Sequence, residues 1–126
     1  MTKPKLPPLS DLQELRKIAI EAAQVGGGIL QKYAKSGFTI EHKTRLSLVT
    51  DADKESEQTI VKLLKRAYPT HQILAEEEGI YSNQKSPYKW IIDPLDGTTN
   101  FTHSFPIYNV SIGLEFKGTC ILGVVF

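Results

Sequence analysis

Cysteine is nearly absent: Cys120 is the single one in 126 residues. No internal disulfide can form, which suits a reducing cytoplasm. A zinc–thiolate cluster is excluded, and Cys120 has no cationic or glycine-rich cradle that would make it a nucleophile. Neither sign of charge prevails, since 15 basic residues face 14 acidic ones for a net charge of +1. There is then no broad basic field for nucleic acid or an anionic membrane, and any phosphate must be bound locally. No apolar run approaches the roughly 20 residues of a membrane span. The opening MTKPKLPPLSD lacks the apolar stretch of a secretory signal. No P-loop and no Ser-His-Asp nucleophile set is recognisable. What is present, 40% hydrophobic and 23% charged residues, is ordinary for one modest soluble domain.

Met1–Leu9 carries three prolines and is predicted to be a disordered lead-in, with the folded portion spanning residues 10–126. Ser10 and Gln13 make a capping-box start, and Leu12, Leu15, Ile18, Ala19, Ala22, Val25 and Ile29 follow at helical spacing. Gly26–Gly28 interrupts this pattern at about 1 kcal/mol per glycine relative to alanine. Either another element packs closely there or the helix kinks. Ser36–Gly37 stops the helix. Phe38–His42 is a short strand candidate. A second helix is expected to be capped by Asp51 or Asp53, to bury Ile60, Leu63, Leu64 and Ala67, and to end at Pro69. His71–Ala75 and Trp90–Asp93 read as strands, and Tyr81–Pro87 as a mobile polar loop. Thr98–Phe101 opens a helical turn. Val110–Phe116 alternates, and Lys117–Gly118 turns it into Cys120–Phe126. That last run is apolar and β-branched, of buried-strand type, which makes Cys120 inert core. Two helices followed by a mainly antiparallel sheet predict a layered α+β fold. A chain stopping at Phe126 on an apolar strand, with its pairing edge uncovered, reads as the N-terminal portion of a longer protein.

The chemistry concentrates in Trp90–Phe101, WIIDPLDGTTNF. Asp93 and Asp96 offer hard oxygen ligands. Pro94 fixes its own φ and biases Asp93 to an extended conformation, so a sharp turn can aim both carboxylates, with the Leu95 carbonyl, at one point. Two carboxylates, a carbonyl and waters suit Mg2+. Gly97 lets a phosphate approach the backbone, and a helix starting at Thr98 would favour an anion. D-P and D-G are each common turn dipeptides, but both together, with T-T-N-F behind a WIID strand, make a plain turn a poor explanation.

Two further stretches bear on this. In LAEEEG, three adjacent carboxylates repel one another unless a cation sits among them; Glu76 and Glu77 take the functional reading and Glu78 that of a solvated acidic turn. In LVTDAD, Asp51 suits a helix cap, while Asp53 stays open between taking a proton from the Thr98 hydroxyl and binding a further cation. Lys43 is either a plain surface lysine or a charge near the phosphate. His42, His71 and His103 show no ligand spacing and read as surface or packing residues.

Together these residues resemble the inositol monophosphatase family of Mg2+-dependent, lithium-sensitive sugar phosphatases. Its signature, W-x-I-D-P-[IL]-D-G-T-x-N-F with F-P shortly after, is matched by Trp90–Phe101 and Phe105–Pro106, and the resemblance extends upstream through LVTDAD and ILAEEEG. It implies the family's layered sandwich of helices on a sheet. It further implies that Glu76, Asp93 and the Leu95 carbonyl hold one Mg2+, that Asp93 and Asp96 share a second, and that Glu77 belongs to the metal site, behind the direct ligands or near a third ion. Glu76 and Leu95–Thr98 would contact the substrate, and Thr98, with Asp53 or Glu76, would activate the attacking water. A two-metal clamp of that kind stabilises both the attacking and the leaving oxygen.

The resemblance also implies a cytoplasmic homodimer of about twice this length, with a second motif, W-D-x-A-A-G, whose Asp completes the second metal site. Trp90 is the one tryptophan here and no W-D occurs. The implied activity is hydrolysis of inositol monophosphate or a related polyol or sugar phosphate. Activity on 3′(2′),5′-bisphosphate nucleotides, fructose 1,6-bisphosphate or histidinol phosphate stays open, as does a non-catalytic metal-binding or assembly module.

Overall fold

A computed structural model describes residues 6–36, 45–75, 79–82, 85–103 and 106–126. Two long helices, α1 (Leu9–Ser36) and α2 (Arg45–Ala67), precede the strands β1 (Gln72–Ala75), β2 (Gly79–Ser82) and β3 (Tyr88–Asp96). A short helix α3 (Thr98–Thr102) leads to the hairpin of β4 (Asn109–Phe116) and β5 (Thr119–Val125). The strands form one sheet in the order β2-β1-β3-β4-β5. Only β1 and β3 run parallel; the other neighbours are antiparallel. The α+β architecture, helices layered on a mainly antiparallel sheet, is the one expected.

The helices cover one face of the sheet. Their buried stripe is Leu15, Ala19, Ala22, Ala23 and Leu30 on α1, with Ala52, Ile60, Val61 and Leu64 on α2. It meets Ile73, Trp90, Ile92, Val110, Ile112 and Leu114 from the sheet. Small residues predominate on α1, so the two helices approach closely. Gly26 and Gly27 are both buried in this stripe and α1 runs through them unbroken. This resolves the glycine question in favour of close packing: a methyl on Gly26 would lie 2.6 Å from Ile60 Cδ1, and one on Gly27 would strike the Phe126 ring.

Several expectations are corrected. Helix α1 begins at Leu9, with Leu12 N–H bonded to the Pro8 carbonyl at 3.1 Å, so Ser10 is not its cap. Pro7 of the expected lead-in is buried, and residues 1–5 lie outside the described residues. Val25 is exposed, because the stripe passes along the glycine side of α1. Helix α2 begins at Arg45, so Asp51 and Asp53 are interior rather than caps. The buried face continues N-terminally from Ile60 through Glu57, Ser56, Asp53 and Ala52 at helical spacing, and polar residues disguised it. Tyr81 and Ser82 belong to β2, because Ser82 pairs with Ile73 of β1. The strand expected at Phe38–His42 and the residue Lys43 fall outside the described residues.

The final apolar run is only partly buried: Ile121, Leu122 and Val124 pack against the core, and its end is exposed. β5 is an edge strand, with Val125 69% and Phe126 51% exposed. Cys120 is likewise exposed rather than core, because it sits where β5 meets Glu115 across a break in register at the sheet edge. His71, by contrast, packs as expected: it is stacked between Tyr68 and Tyr88. His103 is exposed, and His42 lies outside the described residues.

Candidate metal and phosphate site

The site is made by an irregularity at the end of β3. In a regular strand, residues three apart face opposite sides. Here the β3–β4 ladder pairs Asp93 with Ser111 and Asp96 with Asn109, and its register breaks between them. Pro94 and Leu95 are both buried, in violation of alternation. The extra residue therefore leaves Asp93 half-buried and Asp96 exposed on either side of a buried pair.

Two hydrogen bonds hold this turn. The Leu95 N–H donates to Asp93 Oδ1 at 3.2 Å. From below, the buried Ser56 Oγ–H of α2 donates to the Pro94 carbonyl at 3.1 Å. The turn is thus braced by Asp93 from within and built against the helical layer.

Gly97 follows in the left-handed region, at φ 88° and ψ 41°, and starts α3. Its side-chain position is closed by the chain itself: a Cβ would lie 3.0 Å from the Ile107 carbonyl. The backbone angle and the neighbouring Ile107–Tyr108 segment both require glycine here. Thr98 opens α3 and is exposed. The rest of T-T-N-F fastens that helix down. Asn100 Nδ2–H donates to the Ile107 carbonyl at 2.8 Å. Phe101 is buried and meets Tyr108 edge-on at 4.9 Å. Thr102 Oγ1–H donates to the Thr98 carbonyl at 2.7 Å.

Asp53 lies on the buried face of α2, 6% exposed, and this helix packs against both β3 and α3. Glu57, one turn further along α2, is fully buried, as is Ser56. Sequence reasoning passed over both. The available signal was their i, i+3 and i, i+4 spacing from Asp53 on a stripe that ends in Ile60 and Leu64.

Glu76, Glu77 and Glu78 lie outside the described residues. Ala75, the last residue of β1, pairs with Ile92, next to Asp93. A cleft of about 560 Å³ opens beside Asp93 on the sheet face away from the helices, lined by Leu74, Ile91, Ser111 and Gly113 among others. Among the described residues no group of three or more His, Cys, Asp or Glu side chains could hold a metal. The chemistry of the donors fits a hard cation: one half-buried carboxylate braced by a backbone N–H, one exposed carboxylate, and the Leu95 carbonyl between them.

Comparison with known proteins agrees with this signature. Residues 11–126 match the model of the inositol monophosphatase family. The chain is 44% identical over 125 residues to an inositol-1-monophosphatase of Synechocystis, covering 98% of this chain and 43% of that protein. It is 40% identical over 111 residues to a Nus factor SuhB of Pseudomonas aeruginosa, covering 85% of this chain and 41% of that protein. The structure is similar to that of an inositol monophosphatase from Anabaena, with a TM-score of 0.77 and 43% identity over 92% of this chain and 40% of that one. The chain thus spans less than half the length of the relatives it matches.

Proposed function

The chain belongs to the inositol monophosphatase family, and we propose that it forms the metal- and phosphate-binding part of a Mg2+-dependent phosphomonoesterase. The observation that carries this reading is the register break between Asp93 and Asp96, directly ahead of Gly97 and Thr98. Glu76, Asp93 and the Leu95 carbonyl would hold one Mg2+, and Asp93 with Asp96 a second, with Glu77 nearby. When bound, Mg2+ supplies charge neutralisation for the phosphate and lowers the pKa of water. The chain's own part is to orient and to move a proton. The Leu95–Thr98 segment would present backbone N–H and hydroxyl donors to the phosphate, the Glu76 carboxylate would accept from the substrate or the attacking water, and the Thr98 hydroxyl would take the water's proton as it passes its own to Asp53 or Glu76.

The substrate class is inositol monophosphate or a related polyol or sugar phosphate. Bisphosphate nucleotides, fructose 1,6-bisphosphate and histidinol phosphate are the competing esters. The protein is proposed to act in the cytoplasm as a homodimer at its relatives' length, without nucleic-acid or membrane partners. Among the described residues no helix is long and apolar enough to cross a membrane. A second reading, a non-catalytic assembly module, is favoured by the similarity to a protein named Nus factor SuhB.

Phosphate release separates the two. The assay uses the chain alone and the chain extended by the corresponding remainder of the Synechocystis relative, with inositol 1-phosphate and the competing esters. The expected result is Mg2+-dependent release by the extended chain, reduced ~100-fold or more by Asp93→Asn. Release that is equal with EDTA, or equal in the Asp93→Asn variant, would falsify the metal reading. No release with any ester from a folded, extended chain favours the assembly module.

A further inference from the structure

One peptide unit in the acidic turn is held at both polar ends. It joins Pro94 to Leu95, inside the register break of the β3–β4 ladder. Its carbonyl accepts from Ser56 Oγ–H at 3.1 Å. Its N–H donates to Asp93 Oδ1 at 3.2 Å. A peptide unit is planar, so tying the oxygen to α2 and the N–H to Asp93 sets the orientation of the whole plane. That plane in turn determines where the Asp93 carboxylate rests and from which angle the chain enters Leu95, whose own carbonyl is the next oxygen along.

Ser56 has little freedom to move. It is 0% exposed, on the face of α2 that α1 covers. A methyl on Gly26 of α1 would lie 3.0 Å from Ser56 Oγ, as well as 2.6 Å from Ile60 Cδ1. The Ile60 contacts are with the tip of a flexible side chain, Cδ1, and with Cγ1 at 3.0 Å. The Ser56 contact is with a hydroxyl already committed to Pro94. The glycine in the middle of α1 therefore leaves the space in which this hydroxyl reaches the turn.

We propose that Ser56, seated against Gly26, is a positioning residue for the acidic turn: it sets the Pro94–Leu95 peptide plane and thereby the cation affinity of Asp93 and the Leu95 carbonyl. The cation part of this inference rests on the proposed metal reading; the peptide-plane part stands on the hydrogen bonds alone. Helix–helix packing is then coupled to the site through one hydroxyl.

The test uses the full chain and two readouts. The first is hydrogen exchange of the Leu95 amide without metal, referenced to the Ile92 and Ile112 amides of the same sheet. The second is Mn2+ affinity, read from the EPR signal of free Mn2+. Ser56→Ala is expected to speed Leu95 exchange about 10-fold relative to the reference amides and to weaken Mn2+ binding about 10-fold. Gly26→Ala, made in an Ile60→Val background to remove the 2.6 Å contact with Cδ1 and compared with Ile60→Val alone, is expected to weaken Mn2+ binding while Ser56 is present. It should add nothing once Ser56 is alanine, a non-additivity that a purely structural role would not produce. Unchanged Leu95 exchange in Ser56→Ala, or a uniform acceleration of all three amides, overturns the proposal. A chain that binds Mn2+ equally well with and without Ser56 sinks the positioning role and leaves the proposed function standing. A chain that binds no Mn2+, yet whose Leu95 amide responds, supports the peptide clamp and sinks the metal reading instead.

Discussion

Trp90 donates its indole N–H to His71 Nδ1 at 3.0 Å, and this bond joins the strand that carries the acidic turn to the end of the helical layer. The imidazole is stacked between Tyr68 and Tyr88, with ring centroids 4.5 Å away on each side. Because Nδ1 accepts, the neutral ring carries its proton on Nε2. Burial lowers the His71 pKa to about 4.

This linkage makes stability depend on pH in a defined window. The unfolded chain takes up the histidine proton near the ordinary value of about 6.5. The folded chain resists until about pH 4. Between these values the unfolded state binds more protons, so stability falls as the pH is lowered through the window, by roughly 3 kcal/mol in all. Asp11 and Glu14 line the same pocket, so the test compares the wild type with a variant that lacks only the imidazole. His71→Gln keeps an acceptor for the indole and removes the titration. Urea midpoints from pH 7.5 down to 4 are expected to fall more steeply in the wild type than in this variant. Parallel slopes would count against His71 as the source.

Gly97 and Gly118 both hold positive φ, at 88° and 81°, but only Gly97 is crowded: its Cβ would meet the Ile107 carbonyl at 3.0 Å, whereas nothing lies within 4 Å of a Cβ on Gly118. Alanine at either position incurs the left-handed backbone cost of about 1 kcal/mol. At Gly97 it also displaces the Ile107–Tyr108 segment on which α3 is fastened, for a total on the order of 2–3 kcal/mol. Denaturant midpoints of the two variants should therefore differ, with Gly97→Ala the weaker. Equal losses would show that the close approach of Ile107 carries no energy.

Cys120 is expected to react with a thiol reagent in the native chain. It is exposed on the edge strand, with its Sγ 3.6 Å from the Leu122 carbonyl. One thiol per chain should be labelled without denaturant, at close to the rate seen in urea. Labelling that waits for unfolding would return Cys120 to the core.

Much of the fold is legible in the sequence because burial there follows a simple period. The 3.6-residue repeat of α1 and the alternation of Val110, Ile112 and Leu114 leave little choice of element. The Lys117–Gly118 turn is equally plain, and both its residues take positive φ, as a two-residue hairpin requires. Legibility fails where polar or small residues occupy buried positions. Ala52, Asp53, Ser56 and Glu57 hide the first half of the α2 stripe, and the helix start was placed late in consequence. It fails again at the edges. Cys120–Phe126 has the composition of a central strand, but position in the sheet order, not composition, decides what covers it.

The acidic site divides along the same line. Asp93, Asp96, Gly97 and Thr98 lie within six residues, so the proposal of a cation site beside an anion site comes from residue types and spacing alone. Only the tertiary structure decides how they are aimed. The register break against β4, the Ser56 hydroxyl arriving from α2 and the Ile107 carbonyl behind Gly97 come from residues distant in sequence. Local propensity can specify a turn, but the orientation of its peptide planes depends on long-range hydrogen bonds and close packing. That is why Gly26, an unexplained break in a helical pattern, becomes in the folded chain the space beside the hydroxyl that holds the acidic turn.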